Sequence, residues 1–157
     1  MEDNNEIIIT VPLIPFFDKP NINGHIYTKE CIDNMVTLFN KRSNRVPMYG
    51  QIGYPVNQLT HEIEMDGKVF DASHVVKKVW RDDNQMMGEI QILETPKGVM
   101  LKRMLDVKKE MIVFRQRSIG SVNEDGTMNI THLISFDAIS YQDDSFNPDV
   151  LNLLPKE

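Results

Sequence analysis

A chain of 157 residues with 41% hydrophobic side chains can close one core without staples, and its single cysteine, Cys31, excludes an internal disulfide framework or a Cys-rich zinc site. Seventeen Lys and Arg against 23 Asp and Glu leave a net charge of -6, which argues against nucleic acid as the main partner. No apolar run approaches the roughly 20 residues of a membrane span, and the start, MEDNNE, is acidic where a signal peptide is basic, so neither membrane insertion nor secretion is expected.

No repeat, low-complexity tract or linker divides the sequence, which reads as one domain over 1–157, frayed at 1–6 and 155–157. Ile7 to Phe17 is β-branched and aromatic but carries Pro12 and Pro15. Proline has no N–H for a ladder, so an edge strand or two short pieces is expected. After the KPNING turn, Thr28 is a good N-cap, and Ile32, Met35, Val36 and Phe39 recur at the spacing of one helix face, predicting a helix from Lys29 to Lys41. Val46 to Val56 is punctuated by Gly and Pro and reads as a shaped loop with room for one short strand. Val69 to Trp80 and Met86 to Leu93 read as strands of a hairpin. Thr95-Pro96 opens a second helix with the apolar stripe Leu101, Met104 and Leu105, ending near Lys108 or Lys109. Ile112 to Val122 and Met128 to Ser140 read as strands joined by an NEDG turn. Helices scattered between hairpin-connected strands predict an α+β fold, an antiparallel sheet or small β-barrel with two or more packed helices.

Few residues select a chemistry on their own. Cys31 in the first turn of the first helix reads as packing rather than as an activated thiol. Asp82-Asp83 and Asp143-Asp144 lack the spacing of a calcium loop and read as solvated turn charges, and no metal or cofactor is expected. The basic stretch from Lys41 to Arg45 suits a helix C-terminus. Arg115 and Arg117 alternate with Gln116 in a strand, so their guanidinium groups share a face, either to meet a partner's carboxylates or to lie in solvent. His25, His61, His74 and His132 are available bases and Ser73, Ser118 and Ser121 available hydroxyls, but no spacing selects a combination. His74, between Ser73 and Val75, reads as a packed or half-exposed strand residue.

Several segments in order carry a resemblance. Asn21-Ile22-Asn23-Gly24-His25-Ile26-Tyr27-Thr28-Lys29-Glu30 precedes the loop Gly50-Gln51-Ile52-Gly53-Tyr54-Pro55. Ser73-His74, Trp80, Gly88 to Leu93 with Thr95-Pro96-Lys97-Gly98, Arg117-Ser118-Ile119-Gly120-Ser121 and Phe136-Asp137-Ala138-Ile139 follow. Over roughly 13 to 148, this succession resembles the prohead core protease family of large tailed bacteriophages, serine proteases that share a fold with the herpesvirus assembly proteases. The resemblance implies that fold, but not its catalysis. The family's general base falls at Tyr54, a phenol with an ordinary pKa near 10 and a poor proton acceptor. The family's paired serines fall at Arg115 and Gln116, neither of which can form an acyl-enzyme. Loss of such groups costs on the order of a millionfold in rate.

The resemblance therefore implies a non-enzymatic protein of the phage head, a capsid auxiliary or decoration protein made in the host cytoplasm and located in the virion. Its partners would be the major capsid protein or other head proteins, met through Tyr54, Arg115, Gln116 and Arg117 in the former cleft. Two alternatives stand beside it: an active protease with relocated groups, Ser118 or Ser121 with His74 or His61 and Asp137 orienting the histidine, and a soluble head-assembly factor.

Overall fold

The computed structural model describes residues 6–14, 19–21, 23–43, 47–53, 72–83, 85–108, 112–140 and 149–153. Tyr54, His61 and Asp143-Asp144 lie outside them. The described elements run β1 (Ile7–Ile14), α1 (Lys29–Ser43), β2 (Met48–Gly50), β3 (His74–Asp82), β4 (Gln85–Ile92), α2 (Pro96–Lys108), β5 (Ile112–Val122), β6 (Met128–Ser140) and β7 (Asp149–Leu153). They form an α+β fold of two sheets, β1-β4-β3-β2 and β6-β5-β7.

The prolines place β1 as expected. It is an edge strand pairing antiparallel with β4, and its register shifts between Pro12 and Ile14. β3 and β4 form the predicted hairpin, from His74↔Ile92 to Asp82↔Gln85. β5 and β6 form the other hairpin, whose turn closes through Gly126 N–H to the Asn123 carbonyl at 2.9 Å. Gly126 has φ +90°, a conformation that favours glycine and explains the NEDG signal.

Thr28 caps α1 as its side chain suggests: its Oγ1 accepts from Cys31 N–H at 3.1 Å. The helix runs two residues past the predicted Lys41, to Ser43. Ile32, Met35 and Phe39 are fully buried where α1 packs against β3 and β6. Burial of each such side chain contributes about 1.5–3 kcal/mol, so this helix face joins the two sheets energetically as well as spatially. Thr95 caps α2 through Gly98 N–H at 3.0 Å, with Pro96 in the first turn.

Two expectations need correction. Among the described residues the sheets do not close into a barrel. They are hydrogen-bonded to each other at the corner where the chain leaves β2 and Gln51–Gly53 pairs with β6 at Ala138: Ala138 N–H donates to the Gln51 carbonyl and Gly53 N–H to the Ala138 carbonyl. The second correction is β7, which runs parallel to β5, so the strands are only mostly antiparallel. Its five residues sit alone near the C-terminus and pair with a strand some 30 positions earlier, a long-range contact that local periodicity does not encode.

Candidate functional site

The corner between the sheets holds a buried polar cluster, which brings together His74, Arg115, Arg117 and Asp137 from among the predicted site residues. β2 ends at Gly50 opposite His74, the first residue of β3. A Cβ on Gly50 would collide with the His74 ring and the Phe136 carbonyl, so only glycine lets the ring cross from the first sheet to the second. His74 is completely buried, its ring edge against Phe114 with centroids 5.0 Å apart.

Both ring nitrogens are bonded. Nε2 lies 2.7 Å from the Phe136 carbonyl oxygen and Nδ1 lies 2.7 Å from Ser73 Oγ. A carbonyl only accepts, so Nε2 carries the proton, and Nδ1 accepts from the Ser73 hydroxyl. Burial lowers the His74 pKa to about 4, against the smaller upward pull of the Phe136 carbonyl. The result is a neutral imidazole tying β3 to β6. Ser73 and His74 thus form a hydroxyl–imidazole pair, but both are fully buried and the base is weak.

The second group lies on β5 and β6, where the register Arg115↔Asp137 and Arg117↔Ser135 puts four polar residues on one face. Arg117 Nε donates to Asp137 Oδ2 at 2.5 Å, and Asp137 Oδ1 accepts from Gln51 N–H at 3.0 Å. Ser135 Oγ donates to the Tyr49 carbonyl at 2.5 Å. Desolvation pushes the Asp137 carboxyl's pKa up, opposed first by Arg117, then by the Gln51 N–H and by Arg115.

On the opposite face Gln116 lies among core residues, and its Nε2 donates to the Tyr27 hydroxyl in the segment leading into α1. Arg115, Gln116 and Arg117 are all buried, at 1%, 1% and 2% exposure. This overturns the reading of the two arginines as a solvated stripe. Their face is turned inward because Asp137 and Gln51 supply partners that a solvated strand would take from water.

The remaining candidates are dispersed. Ser118 is fully buried opposite Leu133, beyond a register shift that follows Arg117. Ser121 faces Asn129 near the far end of β5. His132 is exposed and its Nδ1 lies 3.1 Å from Thr131 Oγ1. His25 precedes α1, with its backbone N–H bonded to Asn21 Oδ1 at 3.1 Å. Burial pushes the Cys31 thiol up to about 12, far from a reactive thiolate. Asp82 and Asp83 are exposed in the β3–β4 turn, and among the described residues no three His, Cys, Asp or Glu converge as metal ligands. Sequence reasoning missed the bonds Gln116–Tyr27, Asp137–Gln51 and Ser135–Tyr49, each joining residues more than 80 positions apart. The one local signal was the charged Asp137 inside the apolar run ISFDAIS.

No protein-family model matches the chain, and no curated protein matches it. The fold is similar to that of the capsid assembly protease of bacteriophage T4, with a TM-score of 0.63, 16% sequence identity, and coverage of 84% of this chain and 80% of that one. The chain has a prohead-protease-like fold. At this identity the likeness shows the fold alone.

Proposed function

We propose that the chain is a non-enzymatic protein of the phage head, a capsid auxiliary component that keeps a prohead-protease fold for structural use. The observation that carries this reading is the state of the two positions that resemble the family's paired serines. Arg115 is buried across from Asp137, and Gln116 is buried with its amide on Tyr27, so both positions are occupied by packing side chains. The proposed partners are the major capsid protein or other head proteins, and the proposed location is the virion. With Arg115, Gln116 and Arg117 buried in the isolated chain, a partner segment reaching them would first have to open the β5–β6 face.

Two measurements test the reading together. Quantitative mass spectrometry of purified heads, from the phage whose genome carries this chain, should find it in fixed stoichiometry with the major capsid protein. Its absence from purified particles would overturn the virion assignment. Labelling of the folded chain with a fluorophosphonate should give no adduct. An adduct lost in Ser118→Ala or Ser121→Ala would establish instead an active protease with relocated groups.

A further inference from the structure

Helix α2 is apolar on two sides, and among the described residues only one of them is covered. Gly98 and Leu101 are buried and Leu105 is partly buried against the sheets, as the helical repeat requires of an inward face. On the outward side Val99 is 49% exposed, Met100 47% and Val107 74%. Val99, Arg103 and Val107 follow at i, i+4, i+8, and Met100 lies three residues before Arg103, so the four form one contiguous strip along the helix. Isolated surface hydrophobics need no explanation. Here, however, three of the five large exposed hydrophobics among the described residues lie on one helix of 13 residues.

The charge on this helix is opposite to that of the chain. Lys97, Lys102, Arg103 and Lys108 stand against Asp106 alone, giving +3 in a protein of net charge -6, so the rest of the chain carries -9. Only Lys102 has a carboxylate partner among the described residues, Asp106 at 2.8 Å. We infer that the outward face of α2 is a docking surface for an acidic, amphipathic segment of another protein. Apolar side chains of that segment cover Val99, Met100 and Val107, and its carboxylates meet Arg103 and the flanking Lys97 and Lys108.

Charge complementarity selects this occupant over two others. A second copy docking the same face in a two-fold arrangement would set Arg103 against its own equivalent, and like charges across an interface repel. An anionic bilayer favours a broad apolar face buried in the acyl boundary with bases at its margins. In α2 the inward face is already used by the sheets, and Arg103 sits within the narrow strip that remains.

The test is fluorescence anisotropy with the full chain and two synthetic amphipathic helical peptides, one of Leu and Glu, the other of Leu and Lys in the same pattern. The Glu peptide should bind, the Lys peptide should not, and added salt should weaken the complex. Arg103→Glu should weaken it by roughly tenfold or more, since attraction becomes repulsion, and Val107→Ser should weaken it without altering the circular dichroism of the free chain. The proposal is overturned by no binding of the Glu peptide, by equal binding of both peptides, or by affinity unchanged in Arg103→Glu. It is equally overturned if vesicles of phosphatidylglycerol retain the chain while the Glu peptide does not bind. Self-association in sedimentation that Val107→Ser abolishes would assign the surface to a second copy instead.

Discussion

Two Arg–Asp pairs with similar geometry occupy opposite environments. Arg81 on β3 donates from Nε to Asp33 on α1 at 2.8 Å, with side chains 27% and 55% exposed. Arg117 donates from the same atom to Asp137 at 2.5 Å, with side chains 3% and 0% exposed. The outer pair closes a seam that water also solvates, so its attraction replaces hydration of similar strength. The inner pair has no water to fall back on. Its guanidinium and carboxylate were desolvated by the fold, and the cluster of Gln51 N–H and Arg115 around Asp137 is what makes that burial tolerable. A short distance therefore says little about stability until the surroundings are known.

The largest expected effect comes from breaking the inner pair on one side. Asp137→Ala leaves Arg117 and Arg115 buried without their carboxylate and Gln51 N–H without its acceptor, and should lower unfolding stability by about 3–5 kcal/mol in urea titration. Where that variant fails to fold, the double variant Arg117→Met/Asp137→Leu gives the contrast, because removing the Arg117 charge as well leaves one buried cation without the carboxylate, Arg115, instead of two. It should be the more stable of the two. Equal losses in both variants would mean that the residues matter by volume rather than by charge.

A second test uses the neutral imidazole in the same corner. His74 has an ordinary pKa of 6.5 when unfolded and about 4 when folded. The unfolded chain therefore binds more protons between those values, and stability falls as pH drops from about 6.5 through about 4, by about 3 kcal/mol in all. The raised Asp137 carboxyl shifts stability in the opposite sense, so the quantity to read is the difference between the native chain and His74→Gln across this window. That difference should shrink as the pH falls. A constant difference would show that His74 is not held neutral by the fold.

Much of the scaffold was legible in the sequence because its signals are local. Thr28 and Thr95 announce two helix starts, Pro12 an edge strand and Gly126 a hairpin turn, each through a constraint carried by the residue itself. The cluster was not legible for the converse reason. Alternation placed Arg115 and Arg117 on one face, but whether that face meets water or Asp137 and Gln51 depends on how two sheets join at a corner. Adjacent Ser73 and His74 were visible as residues, but their roles follow from a carbonyl 62 positions away, which fixes the proton on Nε2. Gly50 carries the same lesson, since its lack of a Cβ is demanded by that ring and that carbonyl and not by its own turn. Gly50→Ala should accordingly cost about 1–3 kcal/mol through overpacking, read from the same urea titrations.

The smallest expected effect lies at the outer pair, and its smallness is the informative part. Arg81→Ala removes the bond to Asp33 and one to the Asp83 carbonyl at 3.1 Å. Both acceptors are exposed and regain water, so the loss should be within about 0.2–1 kcal/mol. It should also fall with added salt, since screening already discounts the native pair. Asp33→Asn in the Arg81→Ala background should then change little further, because the two side chains no longer share an interaction. A loss at Arg81 approaching that at Asp137 would mean that the seam between α1 and β3 is drier than its exposure indicates. The contrast between the two pairs would then rest on the number of groups around each carboxylate rather than on access to solvent.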